Sequence, residues 1–296
     1  MPSPLPHPHA DTPIRRLTRG DLVPCANLCE DRGWPRDEHR WALLLSAGTG
    51  YGIDDPKGKG LMASCVMTAY GQGLAAIGML LVAERYARQG IARRLMHQVI
   101  ETAGETSLSL YATPAGRPLY EELGFEAVGR AERISGRFRP TGASGAGAPA
   151  ASGMTVRPAT AEDLRAMLRL DAEVFGADRT HLLARLPAFA DQLRVAEDEG
   201  GLVGYAALWP SDGFHVVGPL IARDTVTAMA LVDSLAQATD RPLRADIDAR
   251  HEELLDRLKE YGLQPAGSGT TVMAYRSPDL PGDWTRRFAP LTVATG

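Results

Sequence analysis

At 296 residues, with 44% hydrophobic and 23% charged residues, the chain is long enough for two globular domains and too apolar to be a disordered one. A net charge of −4, from 32 basic and 36 acidic residues, leaves no basic stripe and excludes nucleic acid as the expected partner. No apolar run reaches about 18 residues, so no membrane span is expected.

Cys25, Cys29 and Cys65 cannot close a disulfide framework and fit reduced thiols in a cytoplasm. Only Lys57, Lys59 and Lys259 are lysines. That arginine bias fits a GC-rich bacterial genome.

Residues 1–12 are rich in Pro and His and lack a charged region ahead of an apolar one, so they read as a disordered leader and not a signal peptide. The His7 and His9 pair belongs to that leader and not to a metal site, and no metal is expected anywhere. A first domain over 13–138 follows. Its periodicities predict strand 13–17, helices 20–32 and 36–46, and strands 50–54, 61–69 and 75–83. Helix 90–103, strand 107–112, helix 115–123 and strand 125–130 complete it.

Gly, Ala, Ser and Pro dominate 139–153, which reads as a flexible linker. A second domain over 154–276 repeats the order: strand 154–157, helix 161–175, and strands 192–197, 201–209 and 214–221. Helix 224–237, strand 242–246, helix 250–261 and strand 270–276 follow. Residues 277–296 (Pro278, Pro281, Trp284, Phe288, Pro290) lack periodicity. They read as an irregular tail whose aromatics dock on a surface.

The two domains echo each other. Ile14-Arg15 and Asp21-Leu22 return as Val156-Arg157 and Asp163-Leu164, each 142 residues on (14 to 156, 21 to 163). Glu122-Leu123-Gly124-Phe125 is mirrored by Glu260-Tyr261-Gly262-Leu263, 138 residues on (122 to 260). Such echoes indicate an internal duplication. Alternating strands and helices give an α/β fold of the α+β kind, with a mixed sheet in each copy.

One loop carries chemistry. The apolar run Ala76–Val82 suits a buried central strand. It leads through Ala83-Glu84-Arg85-Tyr86-Ala87 into Arg88-Gln89-Gly90-Ile91-Ala92-Arg93-Arg94, where Ile91, Leu95, Met96 and Val99 begin a helical stripe. The first amides of a helix have no partners within it, and the helix dipole adds positive potential there. A pyrophosphate fits such a place if the side chains are small. Gly90 and Ala92 are small, and Arg88, Arg93 and Arg94 add charge.

This stretch resembles motif A of the GNAT N-acetyltransferase superfamily, Arg/Gln-x-x-Gly-x-Gly/Ala after the fourth strand. Gly90 and Ala92 match its last two fixed positions. Its first falls on Ala87, with Arg88 displaced by one. Leu119-Tyr120-Glu121-Glu122-Leu123-Gly124-Phe125 resembles the family's late helix and turn, 30 residues after Gly90 (90 to 120).

The resemblance implies a tandem GNAT protein that takes acetyl-CoA, releases coenzyme A and acetylates an amine. Its cofactor site would comprise Leu80, Leu81, Val82, Ala87, Arg88, Gln89, Gly90, Ile91, Ala92, Arg93 and Thr113. Thr113 stands where many members have Asn. Tyr120 falls on the family's general acid toward the departing thiolate. Trp34, in Gly33-Trp34-Pro35, falls in the segment that often walls the acceptor pocket.

Some members place a Glu in the central strand as base, but 78–82 holds no carboxylate. Glu84, Glu30, Asp31, Asp37 and Glu38 are the nearby acids. In the second copy, Met229 stands opposite Gly90, the turn is Ala222-Arg223-Asp224-Thr225, and Leu258 replaces Tyr120. That copy reads as degenerate. Tyr205, Trp209, His215 and Asp171 could face the cleft between the domains, whereas His97 and His251 read as surface residues. The expected acceptor is a small-molecule amine, and the expected state a monomer or homodimer. A protein-lysine or N-terminal acetyltransferase and a non-catalytic acyl-CoA-binding regulator remain open.

Overall fold

The computed structural model describes residues 9, 12–58, 60–139 and 153–296. The expected leader and linker lie almost wholly outside the described residues.

In chain order the first half runs β1 (Ile14–Leu17), α1 (Leu22–Asp31), α2 (Glu38–Ala47), β2 (Thr49–Asp54) and β3 (Leu61–Tyr70). It continues through β4 (Leu74–Val82), α3 (Ile91–Ala103), β5 (Ser107–Ala112), α4 (Arg117–Glu122) and β6 (Glu126–Gly136). The second half runs β7 (Thr155–Pro158), α5 (Leu164–Phe175), the single turns α6 (Thr180–Leu183) and α7 (Leu186–Phe189), β8 (Gln192–Asp198) and β9 (Gly201–Ser211). Then come β10 (Phe214–Ala222), α8 (Thr225–Ala236), β11 (Leu243–Asp248), α9 (Glu252–Glu260), β12 (Gln264–Pro265), β13 (Thr270–Tyr275) and β14 (Arg287–Ala289). No helix among the described residues is long and apolar enough to cross a membrane.

Each half begins with the same device. The Asp21 carboxylate accepts from the Thr18 amide at 2.8 Å, and the Asp163 carboxylate accepts from the Thr160 amide at 2.7 Å. These are capping boxes, which satisfy amides that the first helical turn leaves free. An arginine then clamps each box. Arg15 reaches Asp21 at 2.7 Å and Asp54 at 2.8 Å, while Arg157 reaches Asp163 at 2.7 Å and Glu197 at 2.8 Å. The sequence echo is therefore a structural repeat.

The strands form one 14-stranded sheet ordered β1-β2-β3-β4-β5-β13-β6-β11-β10-β9-β8-β7, with β12 beside β6 and β14 beside β10. The halves exchange their last strands. β13 pairs with β5 (Met273 opposite Leu110) and β6 pairs with β11 (Ile247 opposite Glu132), both antiparallel. Each half's sheet is thus completed by the other. Strand β6 is longer than its periodicity predicts because its second part, Ala131–Gly136, pairs with β11.

A core fills each half, and a third cluster joins them, with Leu43, Tyr70 and Leu74 of the first half against Phe175, Trp209 and Leu291 of the second. Each aromatic of that kind buries about 150–250 Å², worth several kcal/mol at about 25 cal/mol per Å². Asp171 and Tyr205 belong to this joint and not to an open cleft. Arg179 binds Asp171 at 2.5 Å, the Tyr205 hydroxyl donates to Asp171 at 2.5 Å, and all three are buried.

The last ten residues differ most from expectation. They are not a surface tail. β14 pairs with β10, Leu291, Thr292, Ala294 and Thr295 are buried, and the Tyr70 hydroxyl donates to the Thr295 carbonyl. Two glycines permit this path. A Cβ on Gly218 would lie 2.3 Å from the Pro290 carbonyl oxygen, and one on Gly78 would lie 2.5 Å from the Ala294 Cα.

Candidate active site

Strands β4 and β5 run parallel only as far as Ile77 opposite Leu110. Beyond that point β4 stays with β3, where a register shift sets Leu81 against Ser64 and Gly78 against Val66. The bulge is fixed by Met79, whose φ is +53° and whose carbonyl accepts from Ser64 Oγ at 3.1 Å. Bulges re-aim a strand and end pairing. The result is a V between the strands. Leu80, Leu81 and Val82 lie along it, on an edge that no described strand pairs with.

The loop after β4 ends at the start of α3. Arg88 (φ +59°) and Gly90 (φ +76°) turn the chain through left-handed conformations, which Gly tolerates and other residues rarely adopt. Gly90 is the N-cap, and no side chain among the described residues caps this helix. The first intrahelical bond is from the Arg94 amide to the Gly90 carbonyl, 3.0 Å, so the amides before it have no partner within the helix and carry the positive end of its dipole. Ile91 is buried beneath them and Ala92 is half-buried.

Around this start, the Ala87 amide bonds the Glu84 carbonyl and Gln89 Nε2 bonds the Arg85 carbonyl at 3.3 Å. Arg88 is exposed, whereas Arg93 is paired with Glu122 and Arg94 bonds the His9 carbonyl.

Tyr120 on α4 is buried, its ring edge against Phe125. Burial pushes its phenol well above the usual range, and the nearby Cys65 thiol adds to the rise. Cys65 lies on β3 between Ser64 and Val66, where the register shifts opposite the β4 bulge. Thr113, at the end of β5, accepts from the Gly116 amide at 3.2 Å through its hydroxyl and so fixes the turn into α4.

Trp34 is 37% exposed. It follows α1 closely, and α1's end is pinned to the post-β4 turn: Asp31 accepts from the Glu84 amide at 2.6 Å, and Arg32 pairs with Glu84. Each of the nearby acids has a partner. Glu30 and Glu38 bind Arg36, and Asp37 caps α2 while accepting from Ser211. No group of three or more metal-type ligands occurs among the described residues.

The second half closes the same places. β10 and β11 pair only at His215 opposite Leu243 and Val216 opposite Arg244, which leaves an equivalent V. Strand β14 fills it, pairing with Leu220 and Ile221. His251, expected on the surface, is buried there. Its Nε2 lies 3.0 Å from the Arg287 carbonyl, and its ring stacks on Phe288 at 3.8 Å. The start of α8 is capped by Asp224, which accepts from the Thr227 amide at 2.8 Å. Leu258 is buried where the first half has Tyr120.

His215 joins Asp191 at 2.9 Å and Thr239 at 2.6 Å, and Trp209 is buried against Phe189. Sequence reading missed β14 and gave His251 no part in the interior. The only trace was the aromatic content of an otherwise aperiodic segment.

An acetyltransferase (GNAT) domain family matches residues 62–137, and a second family of that description matches residues 167–289. An uncharacterized N-acetyltransferase of Bacillus subtilis (strain 168) is 31% identical over 239 residues, covering 79% of this chain and 82% of its own. Among solved structures, an acetyltransferase candidate of Pyrococcus horikoshii superposes with a TM-score of 0.77 at 18% identity, covering 96% of this chain and 95% of that one. A tandem GNAT protein from the clavulanic acid biosynthesis pathway gives 0.63 at 14% identity, covering 88% and 97%. These two structural likenesses bear on the fold, and they take in both halves.

Proposed function

The chain belongs to the GNAT acetyltransferase family and is an N-acetyltransferase, and from that premise we propose that its first half transfers acetyl from acetyl-CoA to a small-molecule amine. The carrying observation is the uncapped start of α3 beside the unpaired edge of β4. Acetyl-CoA, when bound, supplies the activated acetyl thioester. The amides from Gly90 to Arg93 suit its pyrophosphate, and the exposed Arg88 adds a positive charge. Ala87, Gln89 and Thr113 shape the turns on either side. A strand amide near Leu81 or Val82 would polarise the thioester carbonyl.

Tyr120 keeps its proton on Oη at neutral pH, because burial raises its phenol. An ordinary phenol already titrates near 10 and a thiol near 8.5, so Tyr120 is still protonated when the thiolate forms. It can hydrogen-bond to the thiolate or donate to it as general acid, its proton being restored through water by the one the amine gives up. The neutral amine forms the new C–N bond as the C–S bond breaks. Its own surplus proton leaves to water, since Glu30, Asp31, Asp37, Glu38 and Glu84 are each engaged elsewhere.

The second half and residues 290–296 cover the β4 face at Gly78 and Ala76. That cover favours a small acceptor over a protein chain, which needs an open groove. Trp34 stands beside the mouth as a wall for it.

Tyr120→Phe tests the reading. We expect kcat to fall about 100-fold while acetyl-CoA affinity by calorimetry stays within twofold. Unchanged turnover would refute the acid role. Binding without turnover on any amine in the wild-type chain would make the protein an acyl-CoA-binding regulator.

A further inference from the structure

Strand β3 opens Leu61-Met62-Ala63-Ser64-Cys65-Val66, where Ser64 is the one hydroxyl among apolar side chains and a thiol. Ser64 is fully buried, and a buried hydroxyl without a partner is costly. Its Oγ donates to the Met79 carbonyl at 3.1 Å, across the place where β3 and β4 lose register. Ser64 faces Leu81 and Val66 faces Gly78, so Met79 and Leu80 together stand opposite Cys65. Two residues against one is a bulge, which bends the strand and redirects the groups that follow.

Met79 is held there against its own preference. Among the described residues, Met79, Arg88, Asp212 and Arg276 are the residues other than glycine with positive φ, and Met79 alone lies inside a strand. That conformation crowds the Cβ of an ordinary side chain against the backbone. Such a residue persists only where its surroundings fix it, and strain of this kind gathers at functional sites. Two contacts fix this one. The Ser64 hydroxyl holds the Met79 carbonyl, and Ala294 packs on Gly78, the residue before Met79.

The bulge also lies at the reacting end of the proposed site. The amide near Leu81 or Val82 follows Met79 by two or three residues, so its direction depends on the dihedral angles of Met79. An amide polarises a carbonyl only when its N–H is aimed at the oxygen. Cys65, opposite the bulge, lies close enough to Tyr120 to act on its phenol.

We propose that Ser64 is a positioning residue for acetyl transfer: by holding the Met79 carbonyl it keeps β4 bulged, so that the amide near Leu81 or Val82 stays aimed at the acetyl carbonyl. This rests on the acetyl-transfer reading of the first half and adds a residue to it. Ser64, being fully buried, acts through the backbone and not by contact with either reactant.

Acetyl-CoA isotope-labelled at the acetyl carbonyl is bound to the intact chain, and its carbonyl stretch is read by infrared difference spectroscopy. An aimed amide weakens the C=O bond. The band is therefore expected to fall in wavenumber on binding to the wild type and to return toward its free value in Ser64→Ala. Acetyl-CoA affinity by calorimetry should stay within about threefold, because the pyrophosphate is held at the start of α3. With the best of a panel of small primary amines, kcat should fall by about tenfold, less than the loss of a whole oxyanion donor would cause.

Met79→Gly supplies a second variant. Glycine accepts positive φ without strain, so adding Ser64→Ala to it should lower kcat by no more than about threefold. Where Met79→Gly is too unstable to assay, the infrared comparison of the wild type with Ser64→Ala decides alone.

A carbonyl band unchanged in Ser64→Ala overturns the proposal, whatever the melting temperature does, and leaves the serine a structural residue of the sheet. An equal loss of kcat in the Met79→Gly background overturns it as well. So does a band that stays at its free value when acetyl-CoA binds the wild type, for then no amide is aimed at the carbonyl. Failure of acetyl-CoA to bind at all would instead defeat the acetyl-transfer reading, and the proposal with it.

Discussion

The starts of α3 and α8 are the same place in the two copies of a repeat, and they differ in almost every respect that decides whether a phosphate can sit there. At α3 the cap is Gly90, and among the described residues no side chain caps the helix and no strand pairs with the adjoining β4 edge. At α8 the cap is Asp224, whose carboxylate takes the Thr227 amide. Burial raises the pKa of that carboxyl, but hydrogen bonds from Thr227 and Arg223 outweigh it and keep the group anionic. The second V is filled by β14. One copy thus keeps a positive helix start that no described side chain caps. The other supplies its own anion and its own strand, and becomes a wall for the first.

The contrast can be broken from the filled side. Phe288 is 1% exposed and stacks on His251, so Phe288→Ala should cost about 3–5 kcal/mol in denaturant unfolding. A loss below about 1 kcal/mol, as for an ordinary surface change, would mean that β14 is not a structural part of the second V.

From the open side the expected effect is smaller. Arg88 is exposed and sits at a helix start, where one charge is worth about 0.3–1 kcal/mol. Arg88→Ala should weaken acetyl-CoA binding about two- to fivefold in calorimetric titration, and the difference should shrink as salt is added. A salt-independent loss would assign Arg88 a role other than charge.

The smallest effect sharpens the likeness between the copies. A hydrogen bond from Arg157 holds the Asp163 carboxyl well below the usual carboxylate range, and Arg15 does the same for Asp21. A carboxyl with a depressed folded pKa stabilises above its unfolded pKa, near 3.9 for Asp. That stability is lost as pH falls through the folded value. Between pH 6 and pH 3 the melting temperature should therefore fall less steeply for Asp163→Asn than for the wild type. An identical slope would show that the clamp does not couple to stability.

Local signals account for what was legible in the sequence. The apolar run of β4, the stripe Ile91, Leu95, Met96 and Val99 of α3, and the Tyr120 turn all depend on neighbours a few residues away. Their element bounds came within a residue or two of the structure. The exchange of β6 and β13 depends on partners more than 100 residues distant (Asp246 opposite Arg133), and no local period encodes it. β14 is three residues long, too short for any period to declare. α6 and α7 are single turns of four residues, below the length at which a helical stripe can be seen. The acidic cap Asp224 and the bulky Met229 were visible. What filled the V beside them was not.

Calorimetric titration of acetyl-CoA into the intact chain and into Gly90→Glu tests the central contrast most directly. The account predicts one site per chain, weakened at least 100-fold by the substitution, because Gly90 sits at φ +76° and a carboxylate there would face the phosphate. Two sites per chain, or one site that survives Gly90→Glu, would contradict it.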